Sequence, residues 1–345
     1  MNLPRPVWRT KTGPDADVVV STRCRVARNL PDIPFPWRAS PADRRRVADA
    51  ALRGLAECGA PWSPFAILRL EDLDRKSLRA LADERYTTRE WAAGAGGQAL
   101  AVSRDSPLSV LLNEEDHLRF QCLLPGLQVR KAFRIVADAV ERLGARLPFA
   151  WSEEFGFLTA SPVNVGSGLR VSVWMHVPAL ASDGRLQSVL DAAAELGSIV
   201  RGAHGEGTSG TGELFQLSNT WSDSRSAERA AERLSAAAAY VVEEERAARA
   251  VQFGGPQGRA ALHEAAHEAL KLIAREDATP RRLLQLVSVL RLAVAEGVLP
   301  GRLRETAHWL AVAGGADTEG ADAAMEAVER SEALRRLLAR MAVRG

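Results

Sequence analysis

Short apolar runs bounded by turns dominate the first two-thirds of the chain, and helical spacing dominates the last third. Val18 to Ser21, Ile67 to Leu70 and Leu108 to Leu112 each predict a strand. Ser40-Pro41 predicts a helix start, with Ser40 as cap and Pro41 at the first helical position, ahead of a periodic segment to about Ala56. Pro125 to Leu143 predicts a helix, because Val129, Phe133, Ile135, Val136 and Val140 fall near helical spacing. Gly156 to Ala160, Leu169 to Val177, Ser198 to Ala203 and Leu214 to Ser218 predict further strands, followed by a long helix from about Ser226 to Ala250.

Phe253-Gly254-Gly255-Pro256-Gln257-Gly258 sets glycines and a proline between two helical patterns and marks a linker. Beyond it the pattern is helical throughout, with breaks near Thr279-Pro280, Pro300-Gly301 and Gly314-Gly315. The chain therefore reads as an arm (1–17), an α+β domain (18–252) and an all-α domain (259–345).

Composition narrows the function without naming it. The 345 residues, 46% apolar and 26% charged, describe an ordinary globular protein with room for a large core. A net charge of +2 gives no field that would draw nucleic acid or an anionic membrane. No apolar run is long enough to span a bilayer, and the N-terminus lacks a signal pattern. Cys24, Cys58 and Cys122 are far apart and odd in number, which argues against a disulfide framework and for a reducing cytoplasm. The lysines are only Lys11, Lys76, Lys131 and Lys271, so almost all positive charge is arginine. A lone arginine therefore carries little information here; a placed set carries more.

Such a set exists. Ser21-Thr22-Arg23-Cys24-Arg25 follows the first apolar run, and Asn113-Glu114-Glu115-Asp116-His117-Leu118-Arg119 follows Leu108 to Leu112. Ser161-Pro162-Val163-Asn164-Val165-Gly166-Ser167-Gly168-Leu169-Arg170 is a small-residue loop leading into a strand, and Val200 to Gly207 is another strand end with a glycine-rich exit. Clustered arginines suit a triphosphate, because guanidinium forks bind phosphate oxygens bidentately and stay charged as the transition state forms. Paired carboxylates suit a guanidinium acceptor, which is a poor nucleophile until it is held and relieved of a proton.

These segments, in order from about Val18 to Arg249, resemble the phosphagen (guanidino) kinases, the ATP:guanido phosphotransferases. The nearer likeness is to the branch that acts on arginines of proteins: the small-substrate members carry a helical domain ahead of the first motif, and this chain carries its helical region at the other end. An open acceptor site is the expected consequence. The resemblance implies a largely antiparallel sheet flanked by helices, ATP and Mg2+ as cofactors, and protein substrates with accessible arginines. It also implies a homodimer, an activator protein and a Clp-type unfoldase as partners.

Carried over by position, Arg23, Arg25, Arg119, Arg170 and Arg201 would clamp the phosphates, within nucleotide-binding runs Ser21 to Arg25 (Ser21, Thr22, Cys24 included), Arg170 to Trp174 (Val171, Ser172, Val173) and Arg201 to Glu206 (Gly202, Ala203, His204, Gly205). Glu115 and Glu206 would grip the acceptor guanidinium, with Glu115 as general base. Glu114 and Asp116 would reach magnesium through water. Tyr86 falls where the family places a nucleotide-contacting histidine, and Trp174 falls near the adenine.

Two departures stand out. Ser161 replaces the family's reactive cysteine; a thiolate orients a guanidinium, whereas a serine hydroxyl stays neutral, so slower turnover is expected. The Arg-Asp-x-x-Arg-Ala motif of the protein-directed branch is absent, Glu329 to Arg336 being the nearest basic stretch. These departures leave two alternatives: a catalytically weak nucleotide- or arginine-binding regulator, or a kinase for a small guanidino compound. His263-Glu264-Ala265-Ala266-His267 matches a zinc-protease pattern but lacks a convincing third ligand and is read as a surface helix. Gly205 to Gly210 matches a dinucleotide fingerprint, which must open a helix; here it runs into the apolar segment at Leu214, so that reading is rejected.

Overall fold

The computed structural model describes residues 6–88, 96–202, 211–220, 227–314 and 321–342. Eight strands form one sheet: β1 (Val19–Arg28), β2 (Phe65–Arg69), β3 (Ala99–Ser103), β4 (Leu108–Leu112), β5 (Leu118–Pro125), β8 (Leu169–His176), β9 (Ser198–Gly202) and β10 (Leu214–Asn219). Their order is β2-β3-β4-β5-β1-β8-β10-β9, with every pairing antiparallel. A small hairpin, β6 (Trp151–Ser152) and β7 (Gly156–Phe157), stands apart.

Alternation along the strands gives the sheet two unlike faces. On one face Cys24, Val26, Phe120, Cys122, Val171, Val173 and Leu217 are buried under α2 (Pro41–Glu57), α4 (Val129–Gly144), α6 (Leu186–Glu195) and α7 (Ala227–Phe253). Helix α2 starts as its sequence predicts: Ser40 Oγ accepts from the Asp43 amide at 3.1 Å and the Asp43 carboxylate accepts from the Ser40 amide at 3.2 Å.

The other face is split. At one end Val20, Leu123, Trp174 and Leu214 share a core with Trp8 of α1 (Val7–Thr10) and with α8 (Pro256–Arg275), α9 (Pro280–Ala295), α10 (Leu303–Ala313) and α11 (Ala321–Ala342). There His176 Nε2 lies 2.9 Å from Ser288 Oγ of α9, which donates to Glu213 at 2.7 Å. Toward β2, Leu100, Val102 and Leu111 pack under Leu81 of α3 (Arg75–Asp83). Between these covered regions the sheet face carries its arginines.

Several elements differ from the sequence expectation. The first strand runs on to Arg28, so Arg23 and Arg25 sit mid-strand and not at a strand end. Its partner β5, where no strand was expected, starts directly after the acidic motif and is buried at Leu118, Phe120 and Cys122. The helix expected from Pro125 begins at Val129, since Pro125 still pairs with Ser21. The strand expected over Gly156 to Ala160 is only Gly156–Phe157. The expected linker falls at Gly254-Gly255, between α7 and α8.

Candidate active site

Antiparallel register assembles the arginines. On β1, Ser21, Arg23, Arg25 and Ala27 share one face while Thr22, Cys24 and Val26 take the other. Arg25 lies between Arg170 of β8 and Gln121 of β5, Arg23 pairs with Ser172, and Ala27 pairs with Arg119. Further across, Gln216 of β10 pairs with Trp174, and the backbone of Arg201 on β9 pairs with Gln216. A cavity of about 520 Å³ opens on this face, lined by Arg23, Arg25, Arg85, Arg119, Arg170 and Gln216, with Glu115, Ser161, Val163 and Asn164 from loops. That volume is typical of a small-molecule site, about 300–1,000 Å³.

Among the described residues that line the cavity, the guanidiniums outnumber the carboxylates. Burial pushes the Arg23 guanidinium well below its usual range, and Arg85, Arg119 and Arg170 push the same way. Arg25 is lowered by burial and by Arg23, Arg119 and Arg170, with Glu114 opposing. Among the described residues Arg23 Nε is buried without a hydrogen-bond partner. Buried like charges of this kind are stabilised by a polyanion in their midst.

The acidic motif is a rigid turn. Asn113 adopts a left-handed conformation (φ 56°), and its side-chain amide donates to the Arg44 and Gly97 carbonyls at 2.8 and 2.7 Å. Asp116, 1% exposed, accepts through Oδ1 from Asn29 at 2.6 Å and from the Ala160 amide at 2.7 Å, tying the turn to the loop that holds Ser161. Glu114 is ion-paired to Arg119. Glu115, 3.6 Å from Arg119, is the carboxylate that lines the cavity among the described residues. Burial raises its pKa, as do Asp116 and Glu114, against Arg119 and Arg25. A base raised toward neutrality is better matched to proton transfer than an ordinary surface glutamate.

The loop opposite is held by backbone. Gly168 (φ 67°) lies so close to β1 that a Cβ there would stand 2.5 Å from the Ala27 carbonyl oxygen. Arg28 reaches the Ser167 carbonyl at 2.8 Å and stacks 3.6 Å over Phe157. Ser161, half-buried, precedes the turn at Pro162–Asn164.

The remaining expected residues fall in different places. Thr22, Cys24, Val171 and Val173 are buried on the opposite face, Thr22 bonded to the Gly126 carbonyl at 2.6 Å. Ser21 accepts from Arg85 at 2.7 Å. Ser172 is on the arginine face but only 3% exposed. Tyr86 lines a second cavity with Lys11, Arg104 and Lys131, while its neighbour Arg85 enters the arginine cavity. Trp174 is 8% exposed, edge-on to Trp8 and covered by Arg85, 4.7 Å from its ring. Ala203, His204, Gly205 and Glu206 lie outside the described residues, as does Gly205 to Gly210; of Arg201 and Gly202 only the backbone pairing is described. Arg85 was missed by sequence reading, because a single arginine in this arginine-rich chain gives no signal. His263 and His267 stack at 4.1 Å on α8, and no group of three or more metal-ligating side chains occurs among the described residues.

His117 fixes the turn and carries a pH prediction. Its Nδ1 accepts from the Leu30 amide at 3.0 Å and its Nε2 lies 2.9 Å from the Pro34 carbonyl, so the folded ring is neutral. Burial lowers its pKa against the opposing pull of Pro34, Asp116 and Asp43. A lowered folded pKa contributes stability above the unfolded value of about 6.5, and that stability is lost as pH falls through the folded value. The melting temperature should therefore fall as pH drops from 7 toward 5, and His117→Gln should show a shallower fall. His176, lowered by burial and by Arg291 and Arg249, contributes the same sign and keeps the slope from vanishing. Parallel slopes in thermal scans of the two proteins would refute this account.

Comparison with known proteins agrees with this geometry. Residues 49–248 match the family described as ATP:guanido phosphotransferase, C-terminal catalytic domain. A protein-arginine kinase of Symbiobacterium thermophilum is 37% identical over 301 residues, covering 85% of this chain and 83% of the relative. The chain belongs to the ATP:guanido phosphotransferase family. A protein-arginine kinase of Bacillus subtilis is 35% identical over 243 residues, 70% of this chain and 67% of the relative. Among solved structures, a lombricine kinase superposes with a TM-score of 0.57 at 20% identity, covering 72% of each chain. The duplicated taurocyamine kinase of Schistosoma mansoni gives 0.58 at 20% identity, over 80% of this chain and 42% of that one. These structures share the antiparallel phosphagen-kinase fold.

Proposed function

We propose that this protein transfers the γ-phosphoryl group of ATP to the guanidinium of arginine side chains in proteins. The observation that carries the reading is the set of guanidiniums on one sheet face that lines a single cavity together with the Glu115 carboxylate. The likeness to relatives named protein-arginine kinase selects the acceptor.

In this reading Arg23, Arg25, Arg119 and Arg170, with Arg201, hold the phosphates, and Glu115, with Glu206, orients the acceptor. A guanidinium nitrogen attacks the γ-phosphorus in line, the bond to the β–γ bridging oxygen breaks, and the nitrogen's proton passes to Glu115 while ADP leaves with the electron pair. The guanidiniums neutralise charge on the equatorial oxygens throughout. Magnesium, when bound, supplies further neutralisation on the phosphates. Glu114, on the turn beside Arg119, would reach such an ion through water, with Asp116 behind it holding the turn through Asn29 and the Ala160 amide. The catalytic unit is residues 18–252 and the helical unit 259–345. A cytoplasmic location suits Cys24, Cys58 and Cys122, all free thiols. Among the described residues no helix is long and apolar enough to cross a membrane. Dimerisation and association with an activator protein and a Clp-type unfoldase complete the proposal on the family resemblance.

Competition separates the acceptor classes. With an unfolded arginine-rich protein as substrate, millimolar free arginine should leave ADP production nearly unchanged. Strong inhibition, with free arginine itself phosphorylated, would point to a small guanidino compound. Ser161→Cys should raise kcat by about tenfold, because a thiolate beside the acceptor fixes the guanidinium as a neutral hydroxyl does not. An unchanged kcat would show that position 161 does not contact the acceptor.

A further inference from the structure

Arg85 enters the arginine cavity from outside the sheet, on the turn that follows α3. It adopts a left-handed conformation (φ 62°), uncommon for a non-glycine residue and maintained only where surroundings enforce it. The surroundings here are explicit. Its guanidinium donates to Ser21 Oγ at 2.7 Å and lies over the rings of Trp174 at 4.7 Å and Trp8 at 5.7 Å, while its carbonyl accepts from Gln121 at 3.0 Å.

The turn is gripped from the C-terminal helices. Asp83, two residues before Arg85, pairs with Arg330 of α11 at 3.0 Å; Arg330 is 6% exposed and also held by Glu326 at 2.8 Å and the Val312 carbonyl at 2.7 Å. Glu84 is ion-paired to Arg9, whose other nitrogen lies 3.2 Å from His308 of α10. The helical bundle thus holds Asp83 directly and Glu84 through Arg9, the two residues that precede a cavity guanidinium.

We infer that Arg85 is a further nucleotide-binding arginine of this site, and that Arg330 is a positioning residue that sets nucleotide affinity through the Asp83 ion pair. The inference rests on the proposed function and extends it. Because Arg85 covers the Trp174 ring, the purine end of the nucleotide meets a guanidinium plane, able to stack or to donate, in place of bare indole. A shift of α11 would move Asp83, and with it Arg85.

The test is calorimetric titration of the full-length protein with ATP, with melting temperatures measured alongside. Arg85→Ala should weaken ATP binding by at least about tenfold, the loss of a charge-assisted contact. Arg330→Gln, remote from the cavity, should weaken it several-fold, and should have no further effect when Arg85→Ala is already present. If Arg330→Gln does not fold, Asp83→Asn breaks the same pair from its more exposed side and should behave alike. A purely structural Arg330 would lower the melting temperature and leave ATP affinity unchanged, overturning the positioning role. Unchanged affinity in Arg85→Ala would overturn the binding role. Wild-type protein that binds no ATP would remove the proposed function itself, a failure distinct from either.

Discussion

Glu115→Gln should abolish phosphoarginine formation, lowering kcat by about 10³-fold, within the range a positioned general base supplies. Glutamine keeps the size and can still accept a hydrogen bond, but it cannot take the guanidinium proton or balance its charge. Nucleotide binding should survive, because the proposed phosphate contacts are arginines on the sheet and Glu115 sits on the neighbouring turn. The turn should also survive: its anchors are Asn113, Asp116 and His117, none of which Glu115 touches through a hydrogen bond. The sign of the pH dependence follows from the environment. Burial and the neighbouring Asp116 raise the Glu115 pKa, so the wild-type rate should rise with pH through a value above that of an ordinary glutamate. A variant that still forms phosphoarginine at wild-type rate would take Glu115 out of the chemistry.

Arg25→Met should have an effect of similar size on catalysis and an opposite one on stability. Arg25 is central in register, flanked by Gln121 and Arg170, and is lowered by burial and by three neighbouring guanidiniums. Removing it should cost about 10³-fold in kcat/KM for ATP, comparable to losing one arginine that stabilises a phosphoryl transition state. In the unliganded protein the same change removes a buried charge repelled by Arg23, Arg119 and Arg170, so the melting temperature should rise by about 2 °C or more. ATP should then add little further stability, whereas it should stabilise the wild type clearly. A lower melting temperature in unliganded Arg25→Met would mean that the arginine cluster is internally balanced and does not await a polyanion.

Much of this was legible in the sequence for identifiable reasons. Ser40-Pro41 carried its own capping chemistry, and the long helix at α7 and the glycine break after it followed from periodicity and composition. The site was legible because its residues come in blocks: Arg23 and Arg25 two apart on one strand, and Glu114, Glu115 and Asp116 beside Arg119. The mid-strand position of the arginines was not legible, since alternating arginine and small residues lack the apolar signature that would extend the strand past Ser21. The division of labour among neighbours was also hidden. Glu115 lines the cavity while Asp116 is consumed by Asn29 and the Ala160 amide, a difference set by tertiary hydrogen bonds and not by residue type. Tyr86 leaves its expected side for a similar reason: the left-handed turn at Arg85, held by Trp8, Arg9 and Arg330, turns the guanidinium toward the arginines and the phenol away.

The most direct measurement is mass spectrometry of an arginine-rich unfolded protein after incubation with this protein and Mg-ATP, samples kept at neutral pH or above because the P–N bond is labile in acid. Phosphoarginine on the substrate protein, dependent on ATP and absent with Glu115→Gln, is the predicted result. Tight ATP binding with no phosphoarginine on any substrate, even with Ser161→Cys, would contradict the account and leave a nucleotide-binding regulator in its place.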